Sequence, residues 1–291
     1  MPTRAWDRRH LLGLEGLSAS DIGELLDRAE GLREAASGRA PRLNSLAGRT
    51  IVNLFLEDST RTRCSFTLAL RRLGADTIDI SASGSSVKKG ETIVDTALNL
   101  QAMGVHGFVI RCSAAGGPQL VSRSLREGIP VINAGDGRHE HPTQGLLDLL
   151  TLRQRLGDLR GKTIAIVGDV NNSRVARSAI HGSTTLGANV LLVGPPTLVT
   201  SSFESIAAGP GRVEVGHDLD AVIGGVDAIM MLRVQFERQG DGPAPISGDY
   251  RQLYGLTVER AARMRPHAIV MIRRRDQCRR IVSSRFEVVK W

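Results

Sequence analysis

The spacing of hydrophobic residues changes between residues 50 and 74, and this change predicts a strand followed directly by a helix. An apolar run rich in β-branched residues occupies residues 50–56 and has ended by Asp58. Apolar residues then recur three or four positions apart, as on one face of an α-helix, until Gly74 ends the pattern. The polar segment between the two patterns therefore joins the end of a strand to the start of a helix.

The same alternation continues along the chain and predicts parallel sheets covered by helices on both faces. An opening helix is predicted after the capping pair Ser18 and Asp21. Further strands are predicted at residues 77–81, 107–111, 129–133, 163–167, 190–193, 213–215, 228–232 and 268–272. Further helices are predicted around residues 91–103, 119–126 and 143–156.

The predicted helix at residues 143–156 separates two such sets of elements. We therefore predict an α/β chain of two domains, residues 1–146 and 147–291, each a mostly parallel sheet flanked by helices. A chain of 291 residues and 31.3 kDa is long enough to form two hydrophobic cores.

Composition excludes several classes of protein. Three cysteines without C-x-x-C spacing argue against a disulfide framework or a zinc site and favour the cytoplasm. No apolar run approaches the length of a membrane span, so no membrane association is expected. The formal charge of +8 is concentrated in residues 272–291, which carry six Arg and one Lys against two acids. A nucleic-acid partner is therefore not expected for the main part of the chain.

The segment Ser59-Thr60-Arg61-Thr62-Arg63 has the chemistry of an anion site. The free N–H groups at a helix start are joined here by three hydroxyl and two guanidinium groups. The alternative is a simple N-cap followed by solvated arginines. We favour the anion site, because arginines in a first helical turn oppose the helix dipole unless an anion offsets them.

The pattern F-x-E-x-S-T-R-T-R followed by S-F resembles the carbamoyl phosphate signature of the aspartate and ornithine transcarbamoylases. The resemblance implies that residues 1–146 form a carbamoyl phosphate-binding domain and residues 147–291 an aspartate-binding domain. It implies that Ser59, Thr60, Arg61 and Thr62 hold the phosphate, with Arg61 and Thr62 counted among the catalytic residues.

Two later segments of the first predicted domain fit the same resemblance. The loop S-x-x-x-K-G-E ends before a predicted helix, and it could equally be a solvated loop by itself. The resemblance implies that Ser85 and Lys89 in this loop reach a neighbouring subunit's phosphate site in a homotrimer. Arg111 ends a predicted strand, although the family pattern R-H-P is replaced by R-C-S in this chain. The resemblance implies that Arg111 contacts the carbamoyl oxygen.

The segment from Gly135 to Gln144 contains two histidines and a carboxylate. A metal site needs a third ligand at a motif spacing, and H-x-H supplies only two, so no metal is expected. H-P-T-Q at a helix start resembles the transcarbamoylase segment that touches the carbamoyl group. The resemblance implies that His141 binds the carbonyl oxygen and Gln144 the amide, and it leaves His139 a structural role.

The second predicted domain contains two motifs for an amino-acid substrate. Residues 163–174 form a strand, turn and helix start without a dinucleotide or NTP fingerprint, so no nucleotide cofactor is expected. G-D-x-x-x-S-R-V-A-x-S resembles the family segment in which the arginine, here Arg174, holds the α-carboxylate. L-R-V-Q-x-E-R resembles the aspartate-type loop, in which Arg233 binds the side-chain carboxylate and Gln235 orients the amine. Alone, this loop could be a solvated, salt-bridged face.

The resemblance implies carbamoyl transfer from carbamoyl phosphate to L-aspartate, which gives N-carbamoyl-L-aspartate and phosphate in pyrimidine synthesis. It implies no cofactor, a homotrimer with shared active sites, and an association with regulatory or other pyrimidine-pathway subunits as one further option. A transcarbamoylase for another amine is the alternative enzyme, and Arg233 with Gln235 argues against it. A non-catalytic partner of an active homologue is the alternative of a different class.

The resemblance extends from Arg9 to Met271, and the following residues depart from it. The family has an H-P-x-P loop and a final helix here, whereas this chain has an arginine-rich segment that ends at Trp291. One interpretation is a shifted reading frame in a GC-rich gene. The other is a genuine basic tail in a divergent or inactive paralogue. Both leave an atypical C-terminal end.

Overall fold

The computed structural model describes residues 7–39, 41–81, 90–234, 247–272 and 288–290. The chain divides into two compact units. Unit 1 comprises Met1–Leu14 and Ser20–Leu146, and unit 2 comprises Glu15–Ala19 and Leu147–Trp291. Among the described residues, no helix is both long and apolar enough to cross a membrane.

Unit 1 is built on a four-stranded parallel sheet with the strand order β2-β1-β3-β4. The strands are β1 Thr50–Phe55, β2 Asp76–Ser81, β3 Gly107–Cys112 and β4 Val131–Asp136. The helices are α1 Ala19–Gly31, α2 Arg33–Ser37, α3 Thr60–Arg72, α4 Ile93–Ala102, α5 Gly117–Ser124 and α6 Pro142–Leu156, of which α6 continues into unit 2.

Alternate residues of the unit 1 strands are buried on opposite faces of the sheet. Val52 and Leu54 of β1 pack with Ala97 and Leu100 of α4 on one face. Ile51 and Phe55 of the same strand pack with Leu70 of α3 and Val109 on the other face. Because both faces carry a hydrophobic cluster, the central strand is buried along almost its whole length, as is usual in parallel sheets.

Unit 2 contains a six-stranded parallel sheet with the strand order β10-β9-β8-β5-β6-β7. The strands are β5 Thr163–Val167, β6 Asn189–Val193, β7 Val213–Gly216, β8 Ala228–Met231, β9 Ile269–Ile272 and β10 Val288–Lys290. The helices are α7 Arg174–Thr185, α8 Leu219–Val222, α9 Ser247–Tyr254 and α10 Val258–Ala262, with 3₁₀ segments at Ser201–Ile206 and Ile223–Gly225.

A buried carboxylate ties together the amino ends of the unit 2 strands. Asp227 precedes β8 and is 4% exposed. Its side chain accepts a hydrogen bond of 2.8 Å from the Thr163 backbone N–H and lies 2.9 Å from Arg265 and 3.0 Å from His267. These hydrogen bonds overcome the effect of burial and hold the pKa of Asp227 below its usual range.

The predicted fold class is confirmed, since both sheets are parallel and flanked by helices. The largest error in the bounds is at β4: the strand predicted at residues 129–133 is Val131–Asp136. Hydrophobicity falls after Ile132, but the strand continues because buried polar side chains bond to one another there, including Asn133 to Asp136 at 2.8 Å. Periodicity also missed the short helices α2, α8, α9 and α10, whose apolar patterns span too few residues.

Candidate active site

Each sheet has a point where the chain reverses its direction of strand addition, and the predicted site residues follow the strands at these points. In unit 1 the chain adds β2 on one side of β1 and then β3 on the other. In unit 2 it adds β6 and β7 on one side of β5 and then β8 on the other. Crevices outside the carboxyl ends of strands at such points bind ligands in open α/β sheets.

The start of α3 presents donors beyond the carboxyl end of β1. Ser59 is the N-cap residue with extended backbone, and its hydroxyl donates to Thr62 Oγ1 at 2.9 Å. Thr60 and Arg61 are exposed, and Thr62 is half-buried. The first turn contains no acidic residue. The guanidinium groups of Arg61 and Arg63 have no hydrogen-bond or ion-pair partner in the described part of the chain. This helix start therefore retains its positive potential for an anion.

Arg111 lies beside this segment because β3 pairs with β1. The sheet register places Arg111 opposite Phe55, and the Leu56 N–H donates to the Arg111 carbonyl at 2.8 Å. Arg111 is 9% exposed, and its guanidinium donates to Glu57 Oε1 at 2.6 Å and to the Ala134 carbonyl at 3.3 Å. These contacts fix the direction of the guanidinium at the mouth of the switch point.

Glu57 is the glutamate of the F-x-E-x-S-T-R-T-R pattern, and the sequence alone gave it no role. Glu57 lies two residues after β1, and Arg111 is the penultimate residue of β3, so each is near the carboxyl end of its strand. Only the strand order shows that β1 and β3 are adjacent and that their carboxyl ends bring these two charges together.

His141 and Gln144 lie where β4 passes into α6. His141 is 4% exposed and directly precedes the first residue of α6, Pro142. Its Nδ1 lies 3.4 Å from the Thr143 hydroxyl, and its carbonyl accepts the Gln144 N–H at 3.0 Å. A buried imidazole held by its own helix start can present its other nitrogen to a ligand with little loss of side-chain entropy.

His139 contacts a carboxylate of its own loop, which fits the structural role expected for it. Its Nδ1 lies 3.0 Å from Asp136 Oδ2. Burial opposes ionisation of Asp136, yet hydrogen bonds from His139, Asn133 and two backbone N–H groups lower its pKa below the usual range. Asp136 is thus a buried charged carboxylate, and sequence reasoning did not single it out.

In unit 2, Arg174 is the first residue of α7, beyond the carboxyl end of β5. Ser173 caps this helix by accepting the Ala176 N–H at 3.2 Å. The preceding turn is held by Asp169, whose carboxylate accepts from the Asn172 amide at 2.8 Å. Arg174 is 4% exposed, so a guanidinium is buried at a helix N-terminus, where the dipole favours an anion as its partner.

Arg233 follows β8, the neighbour of β5, and is exposed. The Leu232 N–H donates to the Val167 carbonyl at 2.8 Å, so both strands end at the same level of the sheet. The turn after β5 comes close to this segment at Gly168, whose φ is +127°. A Cβ there would lie 3.0 Å from the Leu232 carbonyl oxygen and 2.9 Å from the Tyr250 hydroxyl. Glycine is required at this position.

Tyr250 of α9 is a residue of this region that sequence reasoning missed. Burial, with a smaller contribution from the Asp169 carboxylate, raises the pKa of its hydroxyl well above the usual value. The hydroxyl is therefore neutral at physiological pH and can donate a hydrogen bond beside the β5 turn. No sequence motif marks it, because its helix is short and distant in sequence.

The structure thus brings the predicted residues together in two groups. The unit 1 group lies after strands β1 and β4 and at the carboxyl end of β3: Ser59, Thr60, Arg61, Thr62, Arg111, His141 and Gln144. The unit 2 group, Arg174 and Arg233, follows β5 and β8. Ser85, Lys89 and Gln235 lie outside the described residues.

Comparison with known proteins matches both halves of the chain. Residues 9–154 match the family model for the carbamoyl-P binding domain of aspartate/ornithine carbamoyltransferase, and residues 160–272 match its Asp/Orn binding domain. The aspartate carbamoyltransferase catalytic subunit of Opitutus terrae is 51% identical over 91% of this chain and 82% of its own length. The catalytic subunit of Gluconobacter oxydans is 49% identical over 93% of this chain and 85% of its own length.

A solved structure shows the same fold. Aspartate transcarbamoylase from Trypanosoma cruzi, in complex with carbamoyl phosphate and aspartate, aligns with a TM-score of 0.82 at 28% identity. The alignment covers 98% of this chain and 92% of that one. The two family models together span most of the sequence, and their order agrees with the two groups of site residues. The chain belongs to the aspartate/ornithine carbamoyltransferase family.

Proposed function

We propose that this chain transfers a carbamoyl group from carbamoyl phosphate to the amine of L-aspartate, giving N-carbamoyl-L-aspartate and phosphate. The observation that carries the proposal is the cationic start of α3, where Arg61 and Arg63 have no protein partner among the described residues. The names of the relatives and the ligands of the T. cruzi structure support the same pair of substrates. The reaction places the enzyme in pyrimidine synthesis.

In this proposal the phosphate lies at the start of α3. The free N–H groups at the helix start, including that of Thr62, and the hydroxyls of Ser59 and Thr60 donate to its oxygens, and Arg61 supplies a fixed positive charge. The phosphate carries most of the negative charge of the substrate and leaves with that charge. Hydrogen bonds to the phosphate become stronger as the leaving group gains charge, and they therefore lower the free-energy barrier of the transfer.

The carbamoyl group then faces the second set of donors in unit 1. Thr62, Arg111 and His141 donate to the carbonyl oxygen, which becomes an anion when the amine adds. Gln144 bonds the carbamoyl amide. The contacts of Arg111 with Glu57 and the Ala134 carbonyl support this assignment, because they fix its guanidinium before substrate arrives.

Unit 2 supplies the groups that hold aspartate. Arg174 binds the α-carboxylate and Arg233 the side-chain carboxylate, each by the paired N–H donors that suit a carboxylate. Gln235 orients the amine. A second carboxylate on the acceptor distinguishes aspartate from ornithine, whose side chain ends in a cation that Arg233 repels.

The chemical step requires no covalent enzyme intermediate and no cofactor. The aspartate amine attacks the carbonyl carbon, and a C–N bond forms while the carbonyl electron pair moves to oxygen. As the pair returns, the bond between the carbonyl carbon and the bridging phosphate oxygen breaks, and phosphate departs with that oxygen and with the proton lost by the amine. Holding both substrates in the reacting orientation supplies roughly 7 to 11 kcal/mol in the best cases.

We further propose a cytoplasmic homotrimer in which Ser85 and Lys89 act on a neighbour's phosphate. Leu68 on α3 is 54% exposed and Ile78 on β2 is 40% exposed. These apolar side chains lie on helix α3 and on β2, which is the next element along the chain and an edge strand of the unit 1 sheet. Contact with a second copy would remove them from water, which supports an assembled state.

Steady-state formation of carbamoyl aspartate and phosphate by the purified full chain tests this function. Arg61→Ala removes a charged donor from the phosphate and should lower kcat by about 10² to 10³. Arg33→Ala is the matched control, since Arg33 is exposed on α2 and belongs to no predicted site.

Different outcomes separate the candidates. Turnover with L-aspartate that Arg61→Ala abolishes and Arg33→Ala retains supports the proposal. Turnover only with L-ornithine would move the assignment to another amine. A folded chain without turnover on either acceptor would contradict the function and favour a non-catalytic partner.

A further inference from the structure

A buried carboxylate lies between the loop that follows Arg111 and the loop that carries His141. Asp136 is the last residue of β4 and is 1% exposed. The sheet register pairs it with Cys112, the residue after Arg111, across an irregularity in the β3–β4 ladder. Five residues later in the chain comes His141. Asp136 therefore sits at the junction of both loops without being exposed to solvent.

Four N–H donors converge on this carboxylate. Oδ2 accepts from the Gly116 N–H at 2.7 Å and lies 3.0 Å from His139 Nδ1. Oδ1 accepts from the Asn133 amide at 2.8 Å and from the Glu140 N–H at 3.1 Å. Every lone-pair direction is used, so the low pKa described above has a geometric cause.

These donors belong to different loops. Gly116 is the N-cap residue of α5, in the loop that follows Arg111. Glu140 directly precedes His141, and its own carboxylate accepts the Leu14 N–H at 2.8 Å. The carboxylate of Asp136 thus bridges the β3–α5 loop to the β4–α6 loop. Arg111 adds a parallel link by donating to the Ala134 carbonyl.

A neutral amide cannot reproduce this bridge. An asparagine in the same place would present one oxygen to two donors and an NH₂ group to the other two. The two opposed N–H pairs would repel, and the loops would separate or rotate to relieve the contact. The charge and double acceptor capacity of aspartate are therefore what this position needs.

We propose that Asp136 is a positioning residue that fixes the spacing between Arg111 and His141, so that both donors reach one carbonyl oxygen. The proposal rests on the function proposed above and deepens it. Two donors stabilise a developing oxyanion only when both point at the same place, and a displacement of about 1 Å can cost about 100-fold in rate. The phosphate donors at the start of α3 belong to a different loop and do not depend on Asp136.

The test compares Asp136→Asn with Asp227→Asn. Both residues are buried carboxylates with backbone, histidine and other N–H partners, but Asp227 ties the amino ends of strands in unit 2 and touches no proposed site residue. Asp136→Asn should lower kcat about 100-fold while inorganic phosphate, titrated by calorimetry, binds nearly as it does to the wild-type chain. Asp227→Asn should retain kcat while losing a comparable amount of stability.

A second pair of variants covers the case in which Asp136→Asn does not fold. His139→Ala removes one donor to Asp136, and His267→Ala removes the corresponding donor to Asp227. The two histidine side chains are 42% and 58% exposed, so both variants should fold. His139→Ala should lower kcat by about fivefold, and His267→Ala should leave it unchanged.

The outcomes separate this proposal from the proposed function. No turnover by the wild-type chain would overturn both. Wild-type turnover with equal kcat in Asp136→Asn and Asp227→Asn would overturn the positioning role alone. Equal loss of kcat and of phosphate affinity in Asp136→Asn would also overturn it, because general loosening of unit 1 would then explain the result.

Discussion

The two units share one architecture but treat the helix after their central strand differently. In unit 1, α3 follows β1 and buries Leu70 alone among its residues. In unit 2, α7 follows β5 and is buried along nearly its whole length, including its first residue, Arg174. Arg61 at the start of α3 is thus open to solvent, whereas Arg174 at the start of α7 is enclosed. The open start of α3 suits phosphate, which leaves the site as a product. The enclosed start of α7 suits a carboxylate that is held in one direction.

The enclosure of Arg174 predicts the largest difference between the units. Arg174→Ala should raise the Km for aspartate and lower kcat/Km by about 10³, since a desolvated bidentate pair is lost. The affinity for phosphate, measured by calorimetry, should be unchanged in Arg174→Ala, whereas Arg61→Ala should lower it. Arg174→Lys is the matched control, since it keeps the charge without the paired donors. Its kcat/Km for aspartate should lie between those of the wild-type chain and Arg174→Ala.

An equal fall in phosphate affinity for Arg174→Ala and Arg61→Ala would break the comparison. Such a result would mean that the two helix starts act on the same ligand group.

The separate cores predict the next effect, which concerns stability. Phe108 in unit 1 is 1% exposed, and Ile180 in unit 2 is 0% exposed. Phe108→Ala should cost about 3 to 5 kcal/mol and Ile180→Ala about 2 to 5 kcal/mol, through lost burial and the cavity left behind. Native-state hydrogen exchange, measured peptide by peptide, should show faster exchange mainly in the unit that carries the substitution. Uniformly faster exchange in both units would show instead that they unfold together.

The smallest expected effect is the pH dependence of stability from the two buried aspartates. Both have a lowered pKa in the folded chain, so each contributes its full stability at pH values above the unfolded-state pKa of about 3.9. That contribution is lost as the pH falls through the folded pKa. Free energies of unfolding measured from about pH 6 to pH 2 should therefore fall less steeply in Asp136→Asn and Asp227→Asn than in the wild-type chain. Curves parallel to the wild type would contradict this sign.

Much of the fold could be predicted because both units follow the simplest rule of parallel sheets. Residues 164–167 are continuously apolar because both faces of the strand are covered, and the predicted bounds 163–167 equal those of β5. β4 was placed two residues early at its start and three at its end, because its last residues are polar and are buried through mutual hydrogen bonds. Hydrophobic periodicity carries no information about such bonds.

The candidate site divides in the same way. Arg61 was predicted from the local pattern, because an arginine at a helix start after a strand has a local electrostatic cost that a ligand can offset. Arg174 was predicted from a contiguous motif that resembles the family segment. The contact of Glu57 with Arg111 and that of Asp136 with Gly116 were not, because the two partners lie 54 and 20 residues apart in sequence. Their importance comes from which strands are neighbours, and strand order is not encoded in any single segment.

The sequence by itself determined the alternation of strand and helix, the resemblance to the transcarbamoylases, and the residue types available for phosphate and carboxylate. These properties depend on local backbone preferences and on contiguous motifs. Only the tertiary structure decided that β3 lies against β1, that Arg111 meets Glu57, and that Asp136 joins the loops of Arg111 and His141. Those contacts depend on chain segments that hydrophobic burial brings together, and their direction is set by hydrogen bonds that form only once the sheet exists.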